Sequence, residues 1–197
     1  MSSPASEPET VYASKTLASC LSLLFSRPAA EVVDLGPVIG SNVTFLGDRV
    51  DCKIHVEDLY ADIDRHIKQD KLDQLPRFLS GRFPLPDASI DAVLGWDIFD
   101  YIDPLAASAL AEELIRLVRP GGVLLAFFGA VASDHPRYVK YFIEDAAHLR
   151  YRSYPAPRRR WILHNRDISL MFAGLELCDS VLLKSGVREM LFRKRPC

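Results

Sequence analysis

The sequence has few cysteines, no long apolar run and almost no net charge, and each absence excludes a class of protein. Four cysteines are scattered among 197 residues without a CxxC pair or a histidine at ligand spacing, so neither a disulfide framework nor a zinc site is expected. A formal charge of −2 excludes a surface built throughout for nucleic acid. No apolar segment approaches membrane-spanning length. These features are typical of a globular protein with reduced thiols, and we expect a cytoplasmic location.

The first residues, MSSPASEPET, also lack the charged and apolar regions of a signal peptide. Their polar composition predicts a disordered tail over residues 1–10. No composition shift or linker interrupts the remainder, so residues 11–197 are predicted to form a single domain. None of the five histidines lies in a metal-ligand pattern, and no metal is expected.

Strands and helices are predicted to alternate along this domain. The runs at 31–35, 90–96 and 123–128 are too apolar for half-exposed strands and indicate strands covered on both faces. Asp103-Pro104 provides an N-cap and a first-turn proline for a helix. Further elements are expected at 14–25 (helix), 41–47 (helix), 52–56 (strand), 59–80 (polar helix), 165–173 (helix), 175–183 and 188–193 (strands). The segment 133–164 is expected to be irregular.

The last two strands are joined by four residues, which forces them to be antiparallel. Strand–helix alternation before them predicts parallel pairing. The predicted fold class is therefore α/β, a doubly wound, Rossmann-like, mostly parallel sheet with a C-terminal antiparallel hairpin.

Four features then identify a family. They are VVDLG at 32–36, LPDASIDAVLGWDIFDYI at 85–102, LIRLVRPGGVLLAFF at 114–128, and the terminal helix with its hairpin. In this order and spacing the sequence resembles the class I S-adenosylmethionine-dependent methyltransferases over most of residues 14–194. The resemblance implies a methyltransferase-like fold and S-adenosylmethionine as cofactor.

The resemblance assigns the loop after the first long strand to the methionine end of the cofactor. Asp34 matches the acid of the family's acid-x-Gly-x-Gly-x-Gly loop, Gly36 its first glycine and Gly40 its third. Val38 stands in place of the second glycine. Because a β-branched residue disfavours positive φ, Val38 is expected either to fill the ligand's space or to make the loop bulge.

Other cofactor contacts are implied at neighbouring strand ends. Glu57, 23 residues after Asp34, matches the family's ribose-binding acid, with Asp58 as the alternative. A carboxylate can accept two hydrogen bonds from a diol. The alternative is that Glu57 is only a solvated acid at a strand end. The family's third strand, which contacts the adenine, has no recognisable counterpart before Phe83.

The end of the fourth strand provides Trp96 and Asp97, at the edge where ligands bind in open α/β sheets. Trp96 is a candidate for stacking on a flat group, or else it packs in the core. Asp97 is the weak catalytic candidate, since it could hold a substrate amine or take a proton, or else it caps the following turn. Tyr101 follows on the same segment as a candidate substrate contact.

The segment 133–164 combines arginines with aromatic side chains. His135, Tyr138 and Arg158 are its candidate substrate contacts, and the run at 158–160 predicts a basic patch over the carboxyl edge of the sheet. Such a patch suits an acidic acceptor, small or macromolecular. A solvated lid is favoured over a nucleic-acid site.

Two functions follow from these features. The leading hypothesis is an S-adenosylmethionine-dependent methyltransferase acting on an unidentified acceptor. The alternative is a methyltransferase-fold protein that has lost the cofactor and serves as a binding or scaffold module. The direction of the Val38 side chain is expected to distinguish them. The sequence leaves the oligomeric state open.

Overall fold

A computed structural model describes residues 9–49, 52–131, 137–155 and 161–196. The strands are β1 (Thr10–Ala13), β2 (Glu31–Asp34), β3 (Lys53–Val56), β4 (Ile90–Trp96), β5 (Val118–Gly129), β6 (Arg137–Ile143), β7 (His148–Pro155), β8 (Glu176–Leu182) and β9 (Val187–Arg193). The helices are α1 (Lys15–Phe25), α2 (Gly40–Gly47), α3 (Leu59–Lys68), α4 (Leu75–Leu79), α5 (Pro104–Leu117) and α6 (Asn165–Met171), with short 3-10 helices at Leu72–Gln74 and Ile98–Tyr101.

The larger sheet has six strands in the order β3-β2-β4-β5-β9-β8. The first four are parallel, and β9 is antiparallel to both β5 and β8. Every residue of β4 is buried, as expected for a parallel strand covered on both faces. The predicted α/β sheet and its antiparallel C-terminal hairpin are confirmed.

Local signals place helix α5 where the sequence predicts it. The Asp103 carboxylate accepts the backbone N–H groups of Leu105 and Ala106 at 2.9 and 3.0 Å, which satisfies two of the four free donors of a helix start. The glycines that follow the helix lie inside the first part of β5, where Gly121 takes a φ of +76°. The N-cap of α6 is His164 rather than Asn165, which shifts that expectation by one residue.

A second sheet corrects the prediction of an irregular segment. β6 and β7 form an antiparallel hairpin, and β1 pairs with β7, giving the order β1-β7-β6. Thr10 pairs with Tyr151, so the predicted tail is wrong at its last residue, while residues 1–8 lie outside the described residues. The alternation of Leu149 and Tyr151 with Arg150 and Arg152 is the period of a half-buried strand.

The two sheets pack on each other through one of two apolar clusters. Helices α3 to α6 cover one face of the larger sheet, while α1, α2 and the second sheet cover the other. Asn42 of α2 fixes the second sheet in place. Its amide donates to the Tyr141 carbonyl at 3.0 Å and its oxygen accepts the Ile143 N–H at 2.8 Å. Asn42 therefore joins the second sheet to α2.

The described residues contain neither the family's third strand nor a helix able to cross a membrane. Residues 69–89, all of which are described, contain a 3-10 helix, α4 and loop but no strand, so the family's third strand has no counterpart. Among the described helices, none has both the length and the apolar character needed to cross a membrane.

Candidate functional site

Parallel pairing brings the candidate cofactor residues to one edge of the larger sheet. Asp34 at the end of β2 is in register with Val56 at the end of β3 and with Leu94 near the end of β4. Gly36 and Glu57 lie in the loops after β2 and β3, and Trp96 is the last residue of β4. Ligands of open α/β sheets bind at this carboxyl edge, and here the candidate residues are grouped.

The Asp34 carboxylate is buried, with 2% of its surface exposed. Its Oδ1 accepts the backbone N–H of Gly36 at 2.9 Å and the indole N–H of Trp96 at 2.6 Å. Burial raises the pKa of Asp34 to about 6, and the two donors oppose that rise. Oδ1 of Asp34 therefore accepts two hydrogen bonds from within the chain.

Trp96 is held in an uncommon backbone conformation, with a φ of +47°. Positive φ is costly for a bulky residue and persists only where surrounding contacts impose it. Its indole stacks on the Tyr141 ring, with centroids 5.5 Å apart and planes 7° apart, and meets the Phe127 ring edge-on at 5.8 Å. These contacts and the bond to Asp34 fix the indole at the strand end.

The same indole occupies the space beside Gly36. A Cβ on Gly36 would lie 2.9 Å from the Trp96 Nε1, closer than non-bonded heavy atoms approach. Glycine at position 36 thus leaves room for the Trp96 indole.

Val38 neither lines the cavity beside Gly36 nor adopts a positive φ. Its side chain is 74% exposed and is not among the residues that line the cavity beside Gly36. Its φ is not positive, and a Cβ at Gly40 would meet no atom within 4 Å. The loop therefore accommodates valine without strain, and Val38 does not itself block the cleft.

Both candidate ribose acids have partners within the chain. Glu57 forms an ion pair with Arg82 at 2.9 Å, and Arg82 also binds the Asp62 carboxylate at 2.7 Å. The Asp58 side chain accepts the Ala61 N–H at the start of α3. Arg82 belongs to the segment that replaces the third strand, so the altered segment supplies the charge that neutralises Glu57.

A cluster of tyrosines covers the cleft. Tyr60 stacks on Tyr138 with centroids 3.8 Å apart, and meets Tyr101 edge-on at 5.2 Å. The Tyr101 hydroxyl donates to the buried Asp97 carboxylate at 2.9 Å. Burial raises the pKa of Tyr138 and of Tyr60, and nearby acids raise both further. These phenols stay neutral and serve as apolar walls.

Little space remains between these groups. The cavity lined by Gly36, Trp96, Tyr60, Tyr138 and Tyr141 measures about 20 Å³. That is room for roughly one water molecule, whereas sites for small molecules and cofactors usually measure about 300–1,000 Å³.

Comparison with known proteins identifies the fold. No family model and no curated protein matches the sequence. Among solved structures, the 4+2 cyclase SpnF superposes with a TM-score of 0.57 at 12% identity over 92% of this chain and 81% of that one. The chain has the class I methyltransferase fold.

Two methyltransferases solved with S-adenosylhomocysteine share it. The 1,6-didemethyltoxoflavin-N1-methyltransferase of Burkholderia thailandensis gives a TM-score of 0.51 at 16% identity over 92% of this chain and 79% of that one. The N-methyltransferase NodS of Bradyrhizobium japonicum WM9 gives 0.52 at 14% over 90% and 85%. Since the same fold includes a cyclase, the likeness does not establish the reaction.

As arranged in this methyltransferase fold, the cleft residues do not fit S-adenosylmethionine. Trp96 covers Gly36 and Asp34, Arg82 pairs with Glu57, and the remaining cavity is far smaller than the cofactor. The assignments of Asp34, Gly36, Gly40, Glu57, Asp58, Trp96 and Asp97 to cofactor binding stay predictions.

Two of the four substrate-binding candidates belong to the described residues and two do not. Tyr101 and Tyr138 lie together in the tyrosine cluster that covers the cleft. His135 and Arg158, with the rest of the predicted basic patch, lie outside the described residues, so their roles stay predictions. Arg150 and Arg152 pair with Glu9, and Arg150 also pairs with Glu144. Over the described ranges, no group of three or more His, Cys, Asp or Glu side chains is placed to hold a metal ion.

The sequence reasoning missed a larger cleft at the same edge of the sheet. It measures about 420 Å³ and lies between the second sheet and the ends of β5 and β9. We call it the inter-sheet cleft; its lining includes Tyr12, Tyr141, Tyr151, Ser153, Trp161 and Lys184. The period-two pattern of β7 could have revealed its wall, but the pairing of β1 with β7 spans about 140 residues and leaves no local signal.

Proposed function

We propose that this chain is a methyltransferase-fold binding protein whose cofactor cleft is closed by its own side chains. The observation that carries this proposal is the position of the Trp96 indole, packed against Gly36 and bonded to Asp34. The family resemblance assigns that space to the methionine end of the cofactor. The Trp96 indole donates to Oδ1 of Asp34 and occupies this space in place of a ligand.

The ribose end of the cleft supports the same proposal. A diol would have to compete with Arg82 for the Glu57 carboxylate, and Arg82 is held by Asp62 as well. Breaking a partly buried, hydrogen-bonded ion pair costs more than breaking an exposed one. The stacked Tyr60 and Tyr138 rings further narrow the access.

The second candidate is an S-adenosylmethionine-dependent methyltransferase, and one observation favours it. Asp34, Gly36 and Glu57 lie at the strand ends that the resemblance assigns to the cofactor. For the cofactor to enter, Trp96 would have to leave, which forfeits about 1.5–3 kcal/mol for its bond to a charged group and about 0.5–1.5 kcal/mol for its stacking. Relief of the positive φ returns about 1–3 kcal/mol.

These ranges overlap, and their midpoints leave a net cost of opening of about 1 kcal/mol, which weakens the apparent affinity roughly 5- to 10-fold. A functional methyltransferase can tolerate such a cost, so direct titration decides between the two candidates.

The experiment is a calorimetric titration of the full chain with S-adenosylmethionine and S-adenosylhomocysteine up to millimolar concentration. The proposal expects no saturable heat and no movement of the Trp96 indole signal in ¹⁵N-correlated spectra. Saturable binding below about 100 µM with a displaced Trp96 signal would sink it. A Trp96→Gly variant, which removes the indole and suits positive φ, gains cofactor binding if Trp96 is the decisive obstacle.

A further inference from the structure

The inter-sheet cleft has the size and composition of a small-molecule site. Its volume of about 420 Å³ falls in the range of roughly 300–1,000 Å³ that such sites occupy. It opens at the carboxyl edge of the larger sheet, where Gly129 and Val187 mark the ends of β5 and β9. Tyr141, whose ring stacks on Trp96, forms part of the wall between this cleft and the closed one.

Four aromatic side chains line the cleft. Tyr151 meets Tyr12 edge-on at 6.0 Å and lies 6.5 Å from Tyr141, and all three line the cleft. Trp161 lines it too and leaves 47% of its surface exposed. Such surfaces favour flat ring systems, since aromatic pairs gain attraction beyond the area they bury.

The charge in the cleft has one sign. Lys184 is exposed and lies in the turn between β8 and β9, and no lining residue of the described ranges is acidic. Behind the wall, Glu189 is fully buried and accepts the hydroxyls of Tyr12, Ser14 and Thr16. Lys184 therefore carries the only formal charge among the described residues that line the cleft itself.

The cleft is also preorganised by backbone contacts. The backbone N–H of Trp161 donates to the Asp100 carbonyl at 2.6 Å, and the backbone N–H of Ala130 donates to the Gly186 carbonyl at 2.7 Å. Gly186 takes a φ of +78°, which a glycine adopts without strain. A site that is already ordered pays less entropy when it binds a ligand.

From these observations we propose that the inter-sheet cleft binds a planar aromatic molecule that carries one anionic group. The rings lie against the tyrosines and Trp161, and the anion lies near Lys184, with Ser153 available as a hydrogen-bonding group on β7. This inference deepens the proposed function by naming the site and class of ligand.

The test uses 2-naphthoate as the probe and neutral 2-naphthamide as its uncharged counterpart. The chain contains two tryptophans, so the ¹⁵N-labelled full chain gives two indole N–H signals, one for each cleft. We expect 2-naphthoate to shift the Trp161 signal in a saturable manner and to leave the Trp96 signal in place. The same labelled chain reports on the cofactor cleft through Trp96, so failure of one proposal is distinguishable from failure of the other.

Two variants locate the binding. Lys184→Gln is expected to weaken 2-naphthoate about 2- to 5-fold, as suits an exposed ion pair, without changing the affinity for 2-naphthamide. Lys71→Gln removes an exposed charge on a distant loop and is expected to change neither affinity. Ser153→Phe fills the cleft and is expected to abolish binding of both probes, with the Trp96 signal unchanged as evidence of an intact fold.

Each of three contrary results would overturn one part of the proposal. Absence of a Trp161 shift at millimolar 2-naphthoate overturns the site itself. Equal weakening of the acid and the amide by Lys184→Gln, or no weakening of either, overturns the role of the anion. Undiminished binding to Ser153→Phe overturns the location.

Discussion

The indole N–H of Trp96 donates to Oδ1 of Asp34 at 2.6 Å, and both groups are almost fully buried. This bond joins the ends of β2 and β4 across the place that the family resemblance assigns to a cofactor. It is therefore both a structural contact and the means by which the cleft is closed.

Trp96→Phe keeps an aromatic ring but removes the N–H. Asp34 then retains only the Gly36 donor, and we expect the free energy of unfolding to fall by about 1.5–3 kcal/mol. Urea denaturation measures the change. Trp161→Phe, at the exposed tryptophan, should stay within about 0.5 kcal/mol. Equal losses in both variants would mean that the Trp96–Asp34 bond does not stabilise the fold.

Asp34 should make stability depend on pH. Burial raises its pKa from the ordinary 3.8 to about 6, so the folded chain binds this proton more tightly than the unfolded chain. The contribution is fully present below pH 3.8 and is lost as the pH rises through about 6.

Asp34→Asn should remove that pH dependence and raise the free energy of unfolding at pH 7.5 by on the order of 1 kcal/mol, because no buried charge remains. Thermal unfolding between pH 4 and 8 measures it. Asp73→Asn, at an exposed position, serves as the control. An unchanged pH profile in Asp34→Asn would show that Asp34 is not the titrating group.

Glu189 joins the beginning of the chain to its last strand. Glu189→Gln replaces one acceptor oxygen with an amide that cannot accept the Ser14 and Thr16 hydroxyls, at a cost of about 1–3 kcal/mol. The neighbouring strand offers a matched control in Glu176→Gln, whose side chain is 59% exposed and should cost less than about 0.5 kcal/mol. Chemical denaturation of the pair gives the comparison, and similar values for both would refute the prediction.

Asn42 should control the attachment of the second sheet. Asn42→Ala leaves the Ile143 N–H and the Tyr141 carbonyl without their partner, and we expect about 1–3 kcal/mol of destabilisation. Amide hydrogen exchange at Ile143 should accelerate about 5- to 150-fold, since 1.4 kcal/mol corresponds to about a factor of ten. Asn165→Ala, on the exposed start of α6, is the control. Unchanged protection at Ile143 would contradict the role of Asn42.

The parts of the fold that the sequence predicted are those with local causes. The apolar run of β4 and the Asp103-Pro104 start of α5 are encoded within a few residues, and the structure places both as expected. The terminal hairpin follows from a four-residue connection, which geometry alone makes antiparallel. The second sheet depends instead on pairing between residues 10–13 and 148–151, which no local window contains.

The closure of the cleft was also beyond sequence reasoning. The positive φ of Trp96 directs its side chain toward Asp34, and Tyr141 from a distant strand holds it there. Sequence analysis identified Val38 as the obstacle because it replaces a glycine, yet its side chain points to solvent. The sequence placed the candidate residues at strand ends that the structure brings to one edge of the sheet, but the direction of each side chain depends on contacts remote in the chain.

The bonds from Tyr12, Ser14 and Thr16 to Glu189 span between 173 and 177 residues. β8 joins the larger sheet only through β9, and Glu189 of β9 is the acceptor for all three hydroxyls. Contacts of such sequence separation slow the overall folding rate. During synthesis, Tyr12, Ser14 and Thr16 therefore lack this acceptor until the segment that carries Glu189 has been made. A message truncated before Val187 would yield a chain with an uncovered β5 edge, a substrate for chaperones or proteases.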